Sequence, residues 1–299
     1  MAVSTAVGEI ESSIIIPMHN EIHNAQRCIE NVENCLRSLS IPYEIVIAED
    51  GSTDGTREFV EQAARNNPNI RCTCSEARLG KGLALVNAFK LARGKLTVIV
   101  DADLTNNPEC LRDLIRKGKD VNGLVVGSRV LGGVANRRPV SRRVASWMYN
   151  LAARLFFGDN IGDRQCGFKA LSRNLVDAVL PYLHEKGFAW DTEIIALARK
   201  LGYSVSEMPT RIVEQRDGLE SKVRIVKDGL HMGWSLLVIK YRSIKLPAPR
   251  VMGPRTIYPT FDAAVLIPSF SRRARSLRAE VPTWPGAGFF CACGARLLR

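Results

Sequence analysis

The sequence predicts an α/β fold: a mostly parallel central sheet with helices on both faces. Three observations predict it. Short apolar runs rich in β-branched residues recur through the N-terminal half. Stretches with helical spacing separate them, as in sheets whose parallel strands are covered on both sides. Pro17, Asp50, Asp101 and Asp103 fall just where those runs end, and the carboxyl ends of parallel strands are where such sheets gather ligands.

Residues 13–17, SIIIP, read as a short buried strand. A helix follows over 20–39, with Ile22, Ala25, Ile29, Val32 and Leu36 on one face. EIVIA, 44–48, is a second strand, and Asp54 is placed to cap a helix starting near Gly55. Ile70 to Cys74 make a third short strand, 81–93 a helix ending at Gly94, 96–100 a fourth strand and Leu124 to Val126 a fifth. The brevity and β-branching of these runs favour strands over helix pieces.

Near residue 136 the character changes. NRRPVSRRVASWMYNLAARLFFG is basic and amphipathic, and Arg137, Arg138, Arg142, Arg143 and Arg154 alternate with Trp147, Met148, Tyr149, Phe156 and Phe157. That pattern suits a helix lying in a membrane interface; a helix packed on the core has the same signature. WDTEIIALARKLG reads as a helix ending at Gly202, and 223–242 as another with a basic end. The tail 251–299 has arginine as its only strong base, five prolines and weak periodicity. We therefore divide the chain into a folded body, 1–245, and a poorly ordered appendage, 246–299.

The chain of 299 residues is 46% hydrophobic, enough to bury a sizeable core. A net charge of +12 fits nucleic acid, anionic membrane or phosphorylated substrates equally well. No nucleic-acid motif is present, so nucleic acid is not the expected partner. Eight cysteines are too sparse for a disulfide scaffold, and the CxC at Cys72 and Cys74 reads as thiols rather than a zinc site. No secretory signal and no membrane span are expected.

Asp101 and Asp103 stand one residue apart after the apolar run 96–100. Like charges this close repel, and a divalent cation between them removes the repulsion. Two hard oxygen ligands suit Mg²⁺ or Mn²⁺, with phosphates completing the shell. Solvated loop acids are the bland alternative. Asp50, after the second strand, can accept from a ribose or a base. Lys81, between Gly80 and Gly82, either approaches phosphate or opens a helix. The spacing is not that of a phosphate loop, and no GxGxxG follows the first strand, so an ATPase and a dinucleotide dehydrogenase are both disfavoured.

SIIIPMHNE, EDGSTDGT, LGKGLALVNAF, VIVDADL, VVGSR, DRQCGFKAL, FAWDTEIIALARKLGY and GLESKV occur in that order. Together they resemble the family-2 glycosyltransferases of the GT-A fold, and within these the polyprenyl-phosphate sugar transferases. The resemblance covers roughly residues 12–245, making 1–245 a GT-A catalytic domain. It implies nucleotide contacts from Pro17, His19 and Glu21, with His19 where the family has tyrosine. It puts Ala48 and Asp50 beside the base and ribose. It assigns Asp101, Ala102 and Asp103 to metal and sugar nucleotide, with Thr105 at the position of a third ligand. Arg129 matches an active-site arginine, and Arg216 and Lys222 a basic pair at the phosphates. Asp163, Asp191 and Glu193 fall on the acceptor side, Asp191 with a catalytic or positioning role.

The implied reaction is inverting transfer of a hexose to dolichyl or polyprenyl phosphate. GDP-mannose is the favoured donor and UDP-glucose the alternative; a family-2 transferase acting on a sugar hydroxyl is the other reading. The implied setting is the cytoplasmic face of a membrane, reached peripherally through amphipathic helices or by docking on a separate membrane subunit.

Overall fold

The computed structural model describes residues 9–102, 107–133, 140–211 and 225–246, with backbone alone for 140–143 and 225–231. Asp103, Thr105, Arg137, Arg138, Arg216 and Lys222 lie outside the described residues, as does the tail beyond Leu246. All that follows belongs to the first of two units, residues 1–259.

Seven strands form one sheet: β1 (Ser12–Met18), β2 (Tyr43–Glu49), β3 (Ile70–Thr73), β4 (Leu96–Val100), β5 (Gly123–Ser128), β6 (Phe168–Ser172) and β7 (Ser204–Pro209). Their spatial order is β3-β2-β1-β4-β6-β5-β7. β1 pairs in parallel with β2 and β4, β2 with β3, and β5 with β7. β6 alone runs antiparallel, with Val100 opposite Phe168 at one end and Leu96 opposite Ser172 at the other. The start of β6 therefore lies at the same sheet edge as the end of β4.

Eight α-helices occur among the described residues: α1 (Ile22–Leu39), α2 (Thr56–Asn66), α3 (Lys81–Leu91), α4 (Pro108–Lys119), α5 (Val140–Phe157), α6 (Arg173–Val179), α7 (Trp190–Lys200) and α8 (Ile225–Ile244); α5 packs on α8, and α8 on α7. Alternation along β1 shows how the core divides. Ile14 and Ile16 join α1, α2 and α4 on one face, whereas Ile15 joins α3, α6 and α7 on the other. A period of two sends successive side chains to opposite faces, so a strand covered on both sides is apolar throughout.

One expectation changes and another is extended. α3 stops at Leu91 with Ala92 as its cap, and Gly94 serves packing instead: a β-carbon there would lie 2.5 Å from the Ser13 nitrogen. Asp54 serves two helices, because Oδ1 accepts from Thr56 N (3.1 Å) and Oδ2 from Ile22 N (3.1 Å).

Candidate active site

The carboxyl ends of β1, β2, β4 and β5, with the start of β6, bring Pro17, Ala48, Asp50, Asp101 and Arg129 to one edge of the sheet. Pro17 pairs with Ala48 across β1 and β2. Ala48 is fully buried beneath α3. Just past β1, the His19 ring nitrogen Nδ1 lies 2.8 Å from the Asp50 carbonyl oxygen. Asn20, in the left-handed region at φ 53, accepts from Thr53 N (2.9 Å) and knits this loop to the next. Glu21 stands at the N-terminal cap position of α1, and its Oε2 accepts from the Asn24 side-chain amide (3.1 Å).

Asp50 is buried, and its carboxylate gathers the chain before α3. Leu79 N donates to Oδ1 at 2.6 Å, and Gly80 N lies 3.1 Å from both oxygens. That fixes the start of α3 and hence Lys81. Gly80 has φ +100, and a β-carbon on it would lie 2.4 Å from the Lys186 carbonyl oxygen; one on Gly82 would lie 2.1 Å from the Glu185 oxygen. The two glycines of LGKG therefore admit the 185–186 backbone, and Gly82 N donates to Lys186 O at 2.8 Å.

Lys81 reaches Asp101, with Nζ 2.9 Å from Oδ1 and 3.2 Å from Oδ2. It also lies 3.6 Å from Asp191 Oδ2. Asp191 is buried at the start of α7, and its other oxygen lies 2.6 Å from Lys169 Nζ. Lys169 is wholly buried on β6 and donates also to the Cys166 carbonyl (2.6 Å). Two acids and two lysines thus alternate in a chain at the sheet edge. Trp190, buried edge-on against Phe89 at 5.7 Å, anchors the helix that carries Asp191.

DRQCGFK organises the same edge. Asp163 takes Arg129 in a forked contact, Nε to Oδ2 at 2.7 Å and the terminal nitrogen to Oδ1 at 2.8 Å, while Arg129 N donates at 3.0 Å. Burial pushes Asp163 up, but the Arg129 hydrogen bonds and charge outweigh it and hold the carboxyl below its ordinary value. Arg164, wholly buried, pairs with Asp159. Gly167 donates space: a β-carbon on it would fall 1.9 Å from Asp101 Oδ2. Its carbonyl accepts from Asp101 N at 3.1 Å. Gly167 and Lys169 are the site residues that the sequence reading missed.

Glu193, two residues beyond Asp191 on α7, turns away from Lys81 and Lys169 to the 184–185 backbone. Its Oε2 accepts from His184 N (3.0 Å) and Glu185 N (2.8 Å), and burial pushes it up to about 7. It holds the 184–186 segment on which Gly80 and Gly82 rest.

The chain matches Glycosyl transferase family 2 over residues 13–180. The chain belongs to glycosyl transferase family 2. Among family members, it is 34% identical over 239 residues to Glycosyltransferase AglD of Haloferax volcanii, covering 79% of this chain but only 38% of that protein. It is 31% identical to Dolichyl-phosphate beta-glucosyltransferase ALG5A of Trichomonas vaginalis, covering 71% of this chain and 68% of that one. It is 30% identical to a Dolichyl-phosphate beta-glucosyltransferase of Dictyostelium discoideum, covering 74% and 73%. Two solved structures share the fold. Glucosyl-3-phosphoglycerate synthase of Mycobacterium tuberculosis, in complex with Mn²⁺, uridine diphosphate and phosphoglyceric acid, has a TM-score of 0.55 at 18% identity, covering 80% of each chain. Mannosyl-3-phosphoglycerate synthase from Rubrobacter xylanophilus has a TM-score of 0.55 at 17% identity, covering 79% of this chain and 74% of that one.

The described residues fit a cation at Asp101. Its carboxylate is a hard oxygen donor, and an ammonium already stands against both oxygens. No cluster of three or more His, Cys, Asp or Glu ligands occurs among the described residues, so phosphates or Asp103 would have to complete the shell.

Proposed function

We propose that this family 2 transferase moves glucose from UDP-glucose to dolichyl or polyprenyl phosphate, giving a lipid-linked sugar phosphate. The observation that carries the reading is Asp101, held at the end of β4 between Gly167 and the Lys81 ammonium. The two relatives named as dolichyl-phosphate beta-glucosyltransferases favour glucose over the GDP-mannose that the sequence reading preferred.

In this mechanism Asp101 and Asp103 hold Mg²⁺ or Mn²⁺, which supplies charge neutralisation to the departing diphosphate when bound. Lys81 orients Asp101, and Lys169 fixes Asp191. Asp191 spends its oxygens on two ammonium groups, so it positions rather than acting as a base. None is required, because a lipid phosphate is anionic near neutral pH. A phosphate oxygen attacks the anomeric carbon from the face opposite the diphosphate, the bond to the diphosphate breaks, and configuration inverts. Arg216 and Lys222, outside the described residues, are assigned to the phosphates, where a strongly basic site brings two anions together.

The lipid acceptor requires a membrane-facing surface, for which we assign α5 and α8. The helices pack together. They expose Trp147, Met148 and Leu155 on the first, and Trp234, Leu237, Tyr241 and Ile244 on the second. Tyr149 is excluded from that surface, since its hydroxyl meets Thr192 at 2.8 Å, and Phe157 turns inward towards Ala196 and Ile239. No described helix is long and apolar enough to cross a membrane.

The test is transfer of radiolabel from UDP-glucose or GDP-mannose to dolichyl phosphate with Mn²⁺. Lipid-phase label from UDP-glucose, lost in Asp101→Asn, is expected. Label from GDP-mannose alone, or transfer only to sugar hydroxyls, overturns the reading.

A further inference from the structure

Cys72 lies on the edge strand β3 and Cys74 one residue past its end. A spacing of two puts both side chains on one face. Both are free thiols of intermediate exposure, whereas Cys28, Cys35, Cys110 and Cys166 are buried. Interaction between the two thiols lowers Cys72 to about 7 and raises Cys74, with burial raising both. A partly exposed thiol near 7 is the form that attacks disulfides.

The pair also sits where a small movement reaches the active site. Cys72 is in register with Ile47, and Thr73 with Ala48. After Cys74 the chain passes Ser75, whose hydroxyl meets the Glu49 carbonyl at 3.5 Å. It then presses Ala77 against Gly51, where a β-carbon would lie 2.4 Å from the Ala77 carbonyl carbon. Leu79 and Gly80 follow, with their amides on Asp50, and then Lys81 on Asp101.

We propose that Cys72 and Cys74 form a reversible disulfide, and that closing it draws the 75–81 segment away from Asp50. With a low-molecular-weight disulfide such as oxidised glutathione, the Cys72 thiolate attacks one sulfur and releases one glutathione thiolate. Cys74 gives up its proton, and its sulfur attacks Cys72 of the mixed disulfide and releases the second. The protein loses two hydrogens, and one oxidised glutathione becomes two reduced. Cys74 lies just past the end of β3; were the backbone fully extended across 72–74, the α-carbons would stand about 6.6 Å apart, the long end of the disulfide range, so closure has to bend the chain there. The bond is therefore strained and easily reduced, which makes it a switch rather than a staple.

The test incubates the full chain in glutathione buffers of graded potential. Peptide mass mapping locates the bond, and amide hydrogen exchange follows Leu79 and Gly80. Neither readout needs a substrate, so failure of the proposed transferase activity leaves the result interpretable. Expected are a bond between Cys72 and Cys74 and exchange at Leu79 and Gly80 faster by about tenfold, both reversed by dithiothreitol. Cys72→Ser should keep slow exchange in every buffer; if it does not fold, Cys74→Ser serves. The sequence carries a second CxC at Cys291 and Cys293, outside the described residues. A bond from Cys72 or Cys74 to that pair, a lasting glutathione adduct, or a Cys72–Cys74 bond with unchanged exchange overturns the proposal.

Discussion

Replacing Lys169 by methionine should destabilise the fold through Asp191. The change keeps the volume of the side chain but removes its ammonium. Asp191, only 4% exposed, then loses the cation 2.6 Å from Oδ1, and the Cys166 carbonyl loses a donor at the same distance. Removing one partner of a buried pair costs about 3–5 kcal/mol, because the other charge stays buried. Lys81, 3.6 Å from the second oxygen, offsets part of this, which puts the loss near the low end, about 3 kcal/mol. For a body of this size that lowers the melting temperature by about 6–12 °C. Thermal and denaturant melts measure it. Asp191→Asn added to Lys169→Met should recover about 2 kcal/mol relative to the sum of the singles, since the double variant buries no lone charge. A single variant within about 1 kcal/mol of wild type, or strictly additive effects, would refute the reasoning.

Three further outcomes follow from the same geometry. Gly167→Ala puts a methyl where Asp101 Oδ2 now lies, 1.9 Å from the built carbon; transfer activity should fall by about 100-fold, which initial rates read directly. Lys81→Ala should weaken donor binding in calorimetry and cost less in melts than Lys169→Met, about 1–2 kcal/mol, because Lys169 still pairs with Asp191. Glu193, buried and raised from 4.5 to about 7, gives stability that is complete below 4.5 and lost as pH rises through 7. Glu193→Gln should flatten that dependence, on the order of 3 kcal/mol in denaturant melts from pH 4.5 to 8.

How much of this was legible depended on whether a residue's partner was local. β1, β2 and β4 are buried on both faces, so they read as apolar runs. β6 escaped notice because Lys169, a buried cation, breaks its apolar pattern, and the partner that permits the burial lies 22 residues away. β7 is an edge strand that alternates with polar residues. α4 had local signals in Asn107 and Pro108 and was passed over, although the Asn107 side chain caps Cys110 N at 3.1 Å. Asp101 and Asp50 were legible as acids at strand ends. That Asp50 would hold the backbone before Lys81 was not, since hydrogen bonds to main-chain amides leave no trace in residue type. The glycines of LGKG flank Lys81, which the sequence leaves either approaching phosphate or opening a helix, and Lys81 does open α3. The closest neighbour of both glycines is the carbonyl backbone of 185–186, which no spacing rule foretells.

The charges at the sheet edge divide by burial, and the division has a consequence for binding. Lys169 is fully enclosed, and among the described residues its ammonium is satisfied by Asp191 and Cys166. It is a fixed charge whose cost was met in folding. Lys81 stands between Asp101 and Asp191 with its side chain 16% exposed. An ammonium on a flexible stem, in reach of two carboxylates, is able to turn from one to the other with little desolvation. A dianionic ligand or a divalent cation arriving at Asp101 therefore meets a site already balanced by a movable positive charge. The buried pair keeps the second carboxylate in place while that exchange occurs. Because the Lys169–Asp191 pair is fixed in advance, Lys81 is the described ion that has to shift as a ligand enters, which keeps the reorganisation small.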